Sequence, residues 1–222
     1  MAQTGDQFLS RLGNRLGIIG LLLLVIPPLL AGWVYRGEAG ERFSFLTHTL
    51  SELGRYDTSS LAVLVNGGMF FGGLALLVSF SSRRWHRHSA PISWSLKLSG
   101  ILLSLSVAAC GLFPVNVGQL HSDAMTALYL MTPISAVLYC FAILKESPPR
   151  WGMLPALAAT GCALSMLADP RRDLLLMDRY AYGLFGADRP TLWWPALNGW
   201  LLLLFVGIWL LYALVLIQRS NG

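Results

Sequence analysis

The run LGIIGLLLLVIPPLLAGWVY, residues 16–35, contains no charged side chain. A hydrocarbon core about 30 Å thick is crossed by about 20 consecutive apolar residues in an α-helix. The run therefore reads as a membrane-spanning helix. Arg11 and Arg15 precede it, as basic residues precede a secretory signal peptide. Its apolar stretch, however, exceeds the roughly 7–15 residues of a signal core, and no A-x-A cleavage site follows. It reads as a retained helix bent at Pro27-Pro28, because a membrane bundle can compensate the backbone donors that proline removes.

Five further apolar runs follow, at about 60–80, 96–113, 122–144, 151–168 and 195–217, of which 96–113 and 151–168 are the shortest. The fold class expected is an all-α polytopic membrane bundle of six transmembrane helices in a single domain, 1–222. Composition agrees: the 222 residues are 55% hydrophobic and only 12% charged, with a mean hydropathy of +0.59. Soluble domains carry about 25% charged residues. The net charge of +5 and pI near 9.4 fit the basic excess that orients membrane proteins. No basic stripe with interleaved aromatics lies outside the apolar runs, so nucleic acid is not an expected partner. Cys110, Cys140 and Cys162 all fall inside apolar runs and read as small packing residues.

Orientation follows from Lys and Arg. The short segments on the N-terminal side of the membrane hold Arg83, Arg84, Arg87, Lys145 and Arg150, while the opposite side carries its basic residues in two long loops. The positive-inside rule then places both termini in the cytoplasm of a multi-pass cell-membrane protein. Nearly all the carboxylates fall on the outer side, among them Glu38, Glu41, Glu52, Asp57, Asp123 and Asp169. RRWHRH at 83–88 reads as a contact for anionic lipid.

Candidate chemistry lies in the outer segments. In FSFLTHTLSELG, 43–54, Phe43, Leu46, Leu50 and Leu53 recur at helical spacing, with Ser44, His48, Ser51 and Glu52 opposite. This predicts a short amphipathic interfacial helix closed by Gly54. His48 and Glu52, four apart, would share a face either as an acid–base or metal-binding pair or as an ordinary solvated ion pair. NGGMFFGG, 66–73, carries the Gly68/Gly72 spacing of close helix packing. Asn66, inside an apolar helix, needs a hydrogen-bond partner. GLFPVNVGQLHSDAM, 111–125, gathers Asn116, Gln119, His121 and Asp123; Ser122 or Asp123 would cap the next helix, leaving His121 in the loop if both act at one site. In the charged segment 169–194, Arg171 and Arg172 either contact lipid phosphate or form loop ion pairs. The motifs HExxH, GxSxG, GxxxxGK[ST] and CxxC do not occur.

TLSELG (49–54), NGGMFFGG (66–73) and GLFPVN…LHSDAM (111–125) resemble a family of prokaryotic six-helix membrane proteins, domain of unknown function 998. In plan this is similar to the eukaryotic Frag1/DRAM/Sfk1 group. The resemblance covers about residues 44–130 and implies a six-helix bundle with signature positions at Ser51, Glu52, Asn66, Pro114 and His121. It implies no activity.

Three functional readings follow. The first is a non-enzymatic lipid-binding or assembly protein, with membrane lipids or a homo- or hetero-oligomer as partners, whose Ser51, Asn66 and Asn116 form a structural polar network. The second is a membrane-embedded hydrolase or transferase acting on a lipid or lipid-linked substrate at the outer leaflet. His48, Glu52, His121 and Asp123 would then be its catalytic groups, with His48 and His121 as ligands of a divalent metal such as zinc. The third is a transporter, whose polar path would reach Thr132, Ser135 or Ser165.

Overall fold

The computed structural model describes residues 2–37, 40–82, 89–145, 150–169 and 190–216. Within them the chain forms α1 (Ala2–Val34), α2 (Leu50–Leu53), α3 (Ala62–Ser82), α4 (Ala90–Leu112), α5 (Gln119–Lys145), α6 (Met153–Ala168) and α7 (Trp194–Leu211). A 3₁₀ turn, Val115–Val117, precedes α5, another, Arg150–Gly152, precedes α6, and a π-helical turn, Tyr212–Leu216, extends α7. Six helices are long and apolar enough to cross a membrane, and the short α2 lies between the first two of them. This is the all-α polytopic bundle expected from the hydrophobic runs.

The third apolar segment is longer than its run suggested, because α4 begins at Ala90 rather than near 96. Pro91 sits in its first turn, where the missing N–H costs no intrahelical bond. Lys97 lies within the helix with its ammonium 5.5 Å from the Trp94 ring centroid, the position of a long side chain reaching for an interface.

The six long helices form a ring. α1 packs on α3, α3 on α4, α4 on α5, α5 on α6 and α6 on α7, and α7 returns to α1. Close approach of α1 and α3 depends on glycine. A Cβ at Gly68 would lie 2.5 Å from the Leu23 carbonyl and 2.8 Å from Pro27 Cγ, and one at Gly72 would lie 3.0 Å from the Gly20 carbonyl. The Gly68/Gly72 spacing is therefore a packing surface, and it seats Pro27 of α1. Large apolar side chains such as Leu22, Trp33, Val63 and Phe71 point outward, as lipid-facing residues do when no water has to be met. Consecutive spans run in opposite directions, so the loops 35–61 and 113–118 and the start of α7 share one end of the bundle. It is called the first-loop end below.

Candidate functional site

The first loop is tied down rather than draped over the bundle. It leaves α1 at the buried Tyr35. Arg36 and Arg42 pair across a short antiparallel bridge, closed by Gly37 N donating to Glu41 O at 3.0 Å and by Gly40 at φ +78°, a left-handed conformation that glycine adopts without a Cβ penalty. After a turn over 45–47, Thr49 caps α2. Its hydroxyl accepts from Glu52 N at 3.2 Å, and its own N–H donates to Glu52 Oε1 at 3.0 Å. This reciprocal pair is a capping box, and its T-x-x-E signature stands in the sequence at 49–52.

The helix of this loop is thus one turn, Leu50–Leu53, not the longer amphipathic segment from Phe43. Two expectations change with it. His48 precedes the cap, so His48 and Glu52 do not form an i, i+4 pair on a helix face; Glu52 turns back to Thr49. Nor is the polar side solvated: His48 is 2% exposed and Glu52 0%. A surface helix would leave these groups in water. Here the loop packs against α1 and α7, and backbone and side-chain hydrogen bonds replace the water.

His48 stands in an aromatic box. Its ring lies 5.4 Å from Tyr35 and 5.5 Å from Phe43, centroid to centroid. Nδ1 accepts from Ser44 N at 3.2 Å, and the Thr47 hydroxyl lies 2.9 Å from it. The Ser44 amide can only donate, so the ring proton is on Nε2, 3.8 Å from Glu41 Oε1. The His48 carbonyl accepts from Trp200 Nε1 at 2.9 Å, and Leu46 O accepts from Trp193 N at 2.8 Å. The loop is thereby fastened to α7.

Three more ties follow along 51–57. Ser51 Oγ is 3.0 Å from His121 Nε2 on α5. Asn66 Nδ2 on α3 donates to Gly54 O at 2.8 Å. Asn116 accepts from Tyr56 N at 3.1 Å and donates to Asp57 Oδ1 at 3.3 Å. Asn66 thus has the partner its position demanded. The three residues of the expected polar network, Ser51, Asn66 and Asn116, each hold the loop, at separate points.

His121 lies in the first turn of α5, which starts at Gln119. The helix begins earlier than a Ser122 or Asp123 cap would have it, after Gly118 at φ +59°. His121 therefore belongs to the helix and not to the preceding loop. Asp123, two positions on, is exposed and accepts from Gln119 Nε2 at 2.9 Å. It does not join His121. Nδ1 of His121 is 2.8 Å from Phe113 O. A carbonyl can only accept, so Nδ1 carries the proton and Nε2 presents a lone pair, to which the Ser51 hydroxyl donates.

Beneath these groups lies a cavity of ≈ 110 Å³ that all six long helices line, from Leu24 on α1 to Val206 on α7. Its walls are chiefly Leu, Val and Met, and Thr49, Ser51, Asn66 and His121 bring polar groups to it at the first-loop end. His48 and Glu52 are not among its lining residues. Among the described residues, no three His, Cys, Asp or Glu side chains gather as metal ligands. Both His121 nitrogens are engaged as described, and His48 makes contacts of its own away from the cavity. Arg171 and Arg172 lie outside the described residues. In mid-bundle, Thr132 donates to Leu128 O at 2.8 Å, Ser135 to Ser99 O at 3.2 Å and Ser165 to Cys162 O at 2.9 Å. Each of these hydroxyls satisfies a backbone carbonyl.

The Ser51–His121 contact had no signal in the sequence, since 70 positions separate the two residues. Trp200 was likewise missed; only its place near the start of an apolar run, the usual position of an interfacial indole, hinted at a polar partner. The chain matches no protein-family model, no curated protein and no solved structure. The site is therefore interpreted from its own chemistry.

Proposed function

We propose that this multi-pass protein is a lipid-binding protein of the cell membrane, with cytoplasmic termini and the first-loop end outward, and that it holds part of one apolar lipid chain in the central cavity. The observation that carries this reading is the cavity itself. It is walled by apolar side chains from every long helix and is polar where the clamped first loop closes it. An apolar cavity of about 150 Å³ takes up benzene. At ≈ 110 Å³ this one suits a short segment of a single chain, with an ester or headgroup oxygen near Ser51, Asn66 and His121. Binding of this kind requires no turnover. The resemblance to the six-helix family, which implies signature positions at Ser51, Glu52, Asn66, Pro114 and His121, fits the same end of the bundle as the working end.

The test is photo-crosslinking in vesicles with a phospholipid bearing a diazirine on one acyl chain. Adducts are expected on cavity residues such as Met69, Met125 and Leu202. They are expected to fall at least about fivefold in Leu202→Trp, because filling an apolar site removes the contact area that drives uptake. Equal labelling of both proteins, or adducts confined to outward residues such as Phe71, would overturn the reading.

A further inference from the structure

A serine hydroxyl donating to the lone pair of a neutral imidazole, whose other nitrogen is fixed by an acceptor, is the ground-state arrangement of an activated nucleophile. Ser51 and His121 meet its geometric requirements: Oγ to Nε2 is 3.0 Å, and Nδ1 to the Phe113 carbonyl is 2.8 Å. The carbonyl does the orienting that a carboxylate does in many such sites, since it fixes the tautomer in which Nε2 is the base. Both side chains line the apolar cavity. His121 is 4% exposed, and Ser51 is half-buried. The pair therefore stands beside the space proposed above for the lipid chain.

We propose that Ser51 and His121 form a nucleophile–base pair that takes an acyl group from an ester-linked lipid whose chain occupies the cavity. This rests on the lipid-binding reading and adds a reaction to it. Ser51 Oγ attacks the ester carbonyl carbon while its proton passes to His121 Nε2. The tetrahedral adduct collapses by breaking the bond to the alcohol oxygen, which takes the proton from Nε2 and leaves as the free alcohol. The acyl group is then on Ser51 Oγ. Water, or the hydroxyl of an acceptor, attacks that ester with His121 again accepting the proton. Ser51 Oγ recovers it, and a carboxylic acid or a new ester leaves. No electrons are exchanged, and no co-reactant beyond water or an alcohol is required. The apolar walls favour a lipid ester over a peptide bond, whose flanking amides would be buried without partners.

The experiment uses the full-length protein in phosphatidylglycerol and phosphatidylethanolamine vesicles. A long-chain alkyl fluorophosphonate serves as the probe, with the adduct located by peptide mass spectrometry. It is run beside the diazirine-lipid crosslinking above, on the wild type, Ser51→Ala and His121→Asn. The asparagine amide can still donate to the Phe113 carbonyl but supplies no base at the Nε2 position. Expected are an adduct on Ser51 with loss of fluoride, labelling at least about 100-fold slower in His121→Asn, the usual minimum for a lost general base, and release of fatty acid from the vesicles by the wild type alone. Crosslinking should persist in both variants, which shows that the bundle and cavity survive. No adduct on Ser51 with crosslinking intact would overturn the pair and leave lipid binding standing. Equal labelling of wild type and His121→Asn would also overturn it, as would release of a peptide from a reporter with none from lipid. Loss of crosslinking in the wild type would instead sink the binding reading, and this reaction with it.

Discussion

His48 and His121 lie at the same end of the bundle, and both are almost fully buried. His48 sits among the Tyr35 and Phe43 rings, and its Nδ1 accepts from the backbone four residues earlier. His121 joins three elements, with Nδ1 against the end of α4, its backbone on α5, and Nε2 against α2. The same side chain at the same depth is a pillar in one place and a candidate base in the other. Burial does not distinguish them. The distinction lies in where the lone pair is directed: into the loop's own backbone for His48, or toward a hydroxyl beside an apolar cavity for His121. The comparison also separates two reasons for burying polar groups. The His48 region consolidates the loop, whereas the His121 region consolidates it and leaves space beneath.

The largest structural effect expected is at the joint between the two regions. Gly54 closes α2, and a Cβ there would collide with Asn66 Oδ1. Asn66 also donates to the Gly54 carbonyl, so the side chain cannot retreat without breaking that bond. Gly54→Ala should destabilise the protein by about 2–3 kcal/mol, from overpacking together with an unsatisfied buried amide. Gly67, one turn into α3, would meet nothing within 4 Å, and Gly67→Ala should leave stability unchanged or slightly raised. Thermal unfolding in detergent checks both. Equal midpoints for the two variants would mean that the first loop is not held by the Asn66 tie.

A smaller effect tests whether the His48 region is only a support. Trp200→Phe keeps an aromatic ring against Phe43 and Phe45 but removes the donor to the His48 carbonyl. Loss of a partner for a buried acceptor costs about 1–3 kcal/mol. The melting midpoint should fall while fluorophosphonate labelling of Ser51 and lipid crosslinking stay within about twofold of wild type, because His48 and the cavity do not share lining. A tenfold loss of labelling at unchanged stability would show instead that the two histidines are coupled, and the contrast between pillar and base would fail.

The bundle was legible because lipid imposes a length: runs such as 16–35 and 60–80 have no other economical reading. Gly68/Gly72 as a packing surface was legible too, since it depends on local spacing. The third helix was read too short because Lys97 and the serines near it look like a boundary, and Pro91 like a helix breaker, when in fact the first turn tolerates Pro91 and the long Lys97 side chain reaches over Trp94 from within the helix. At the site, Asn66 and Asn116 could be named because a buried or loop amide must find partners. Their partners, Gly54 O and the backbone at Tyr56, could not be named from spacing. The apolar period through 43–54 suggested a helix, but the Thr49–Glu52 box starts it only after His48. Ser51 and His121 were each visible as a polar residue near an interface. Their meeting across 70 positions is set by how α2, α4 and α5 dock, which no local pattern encodes.

The weakest tie of the first loop separates ordinary surface electrostatics from the buried network. Asp57 is 55% exposed and sits 2.8 Å from Arg55 Nε, with a second guanidinium contact at 3.1 Å and Asn116 at 3.3 Å. Its slight burial raises the carboxyl pKa, but the hydrogen bonds and charge of Arg55, together with the Asn116 amide, outweigh this and hold it below its ordinary 3.8. A depressed folded-state value makes the contribution stabilising above the unfolded pKa, and it is lost as pH falls through the folded value. Wild type should therefore exceed Asp57→Asn in stability near neutral pH, and the gap should close as pH drops below about 4. Salt should shrink the gap near neutral pH, since an exposed pair is screened. The Ser51–His121 and Gly54–Asn66 ties join neutral groups and should not respond to salt. If added salt weakened the Gly67→Ala and wild-type proteins as much as it narrowed the Asp57 gap, the loop would be held mainly by surface charge. The clamp formed by Asn66, His121 and Trp200 would then be secondary.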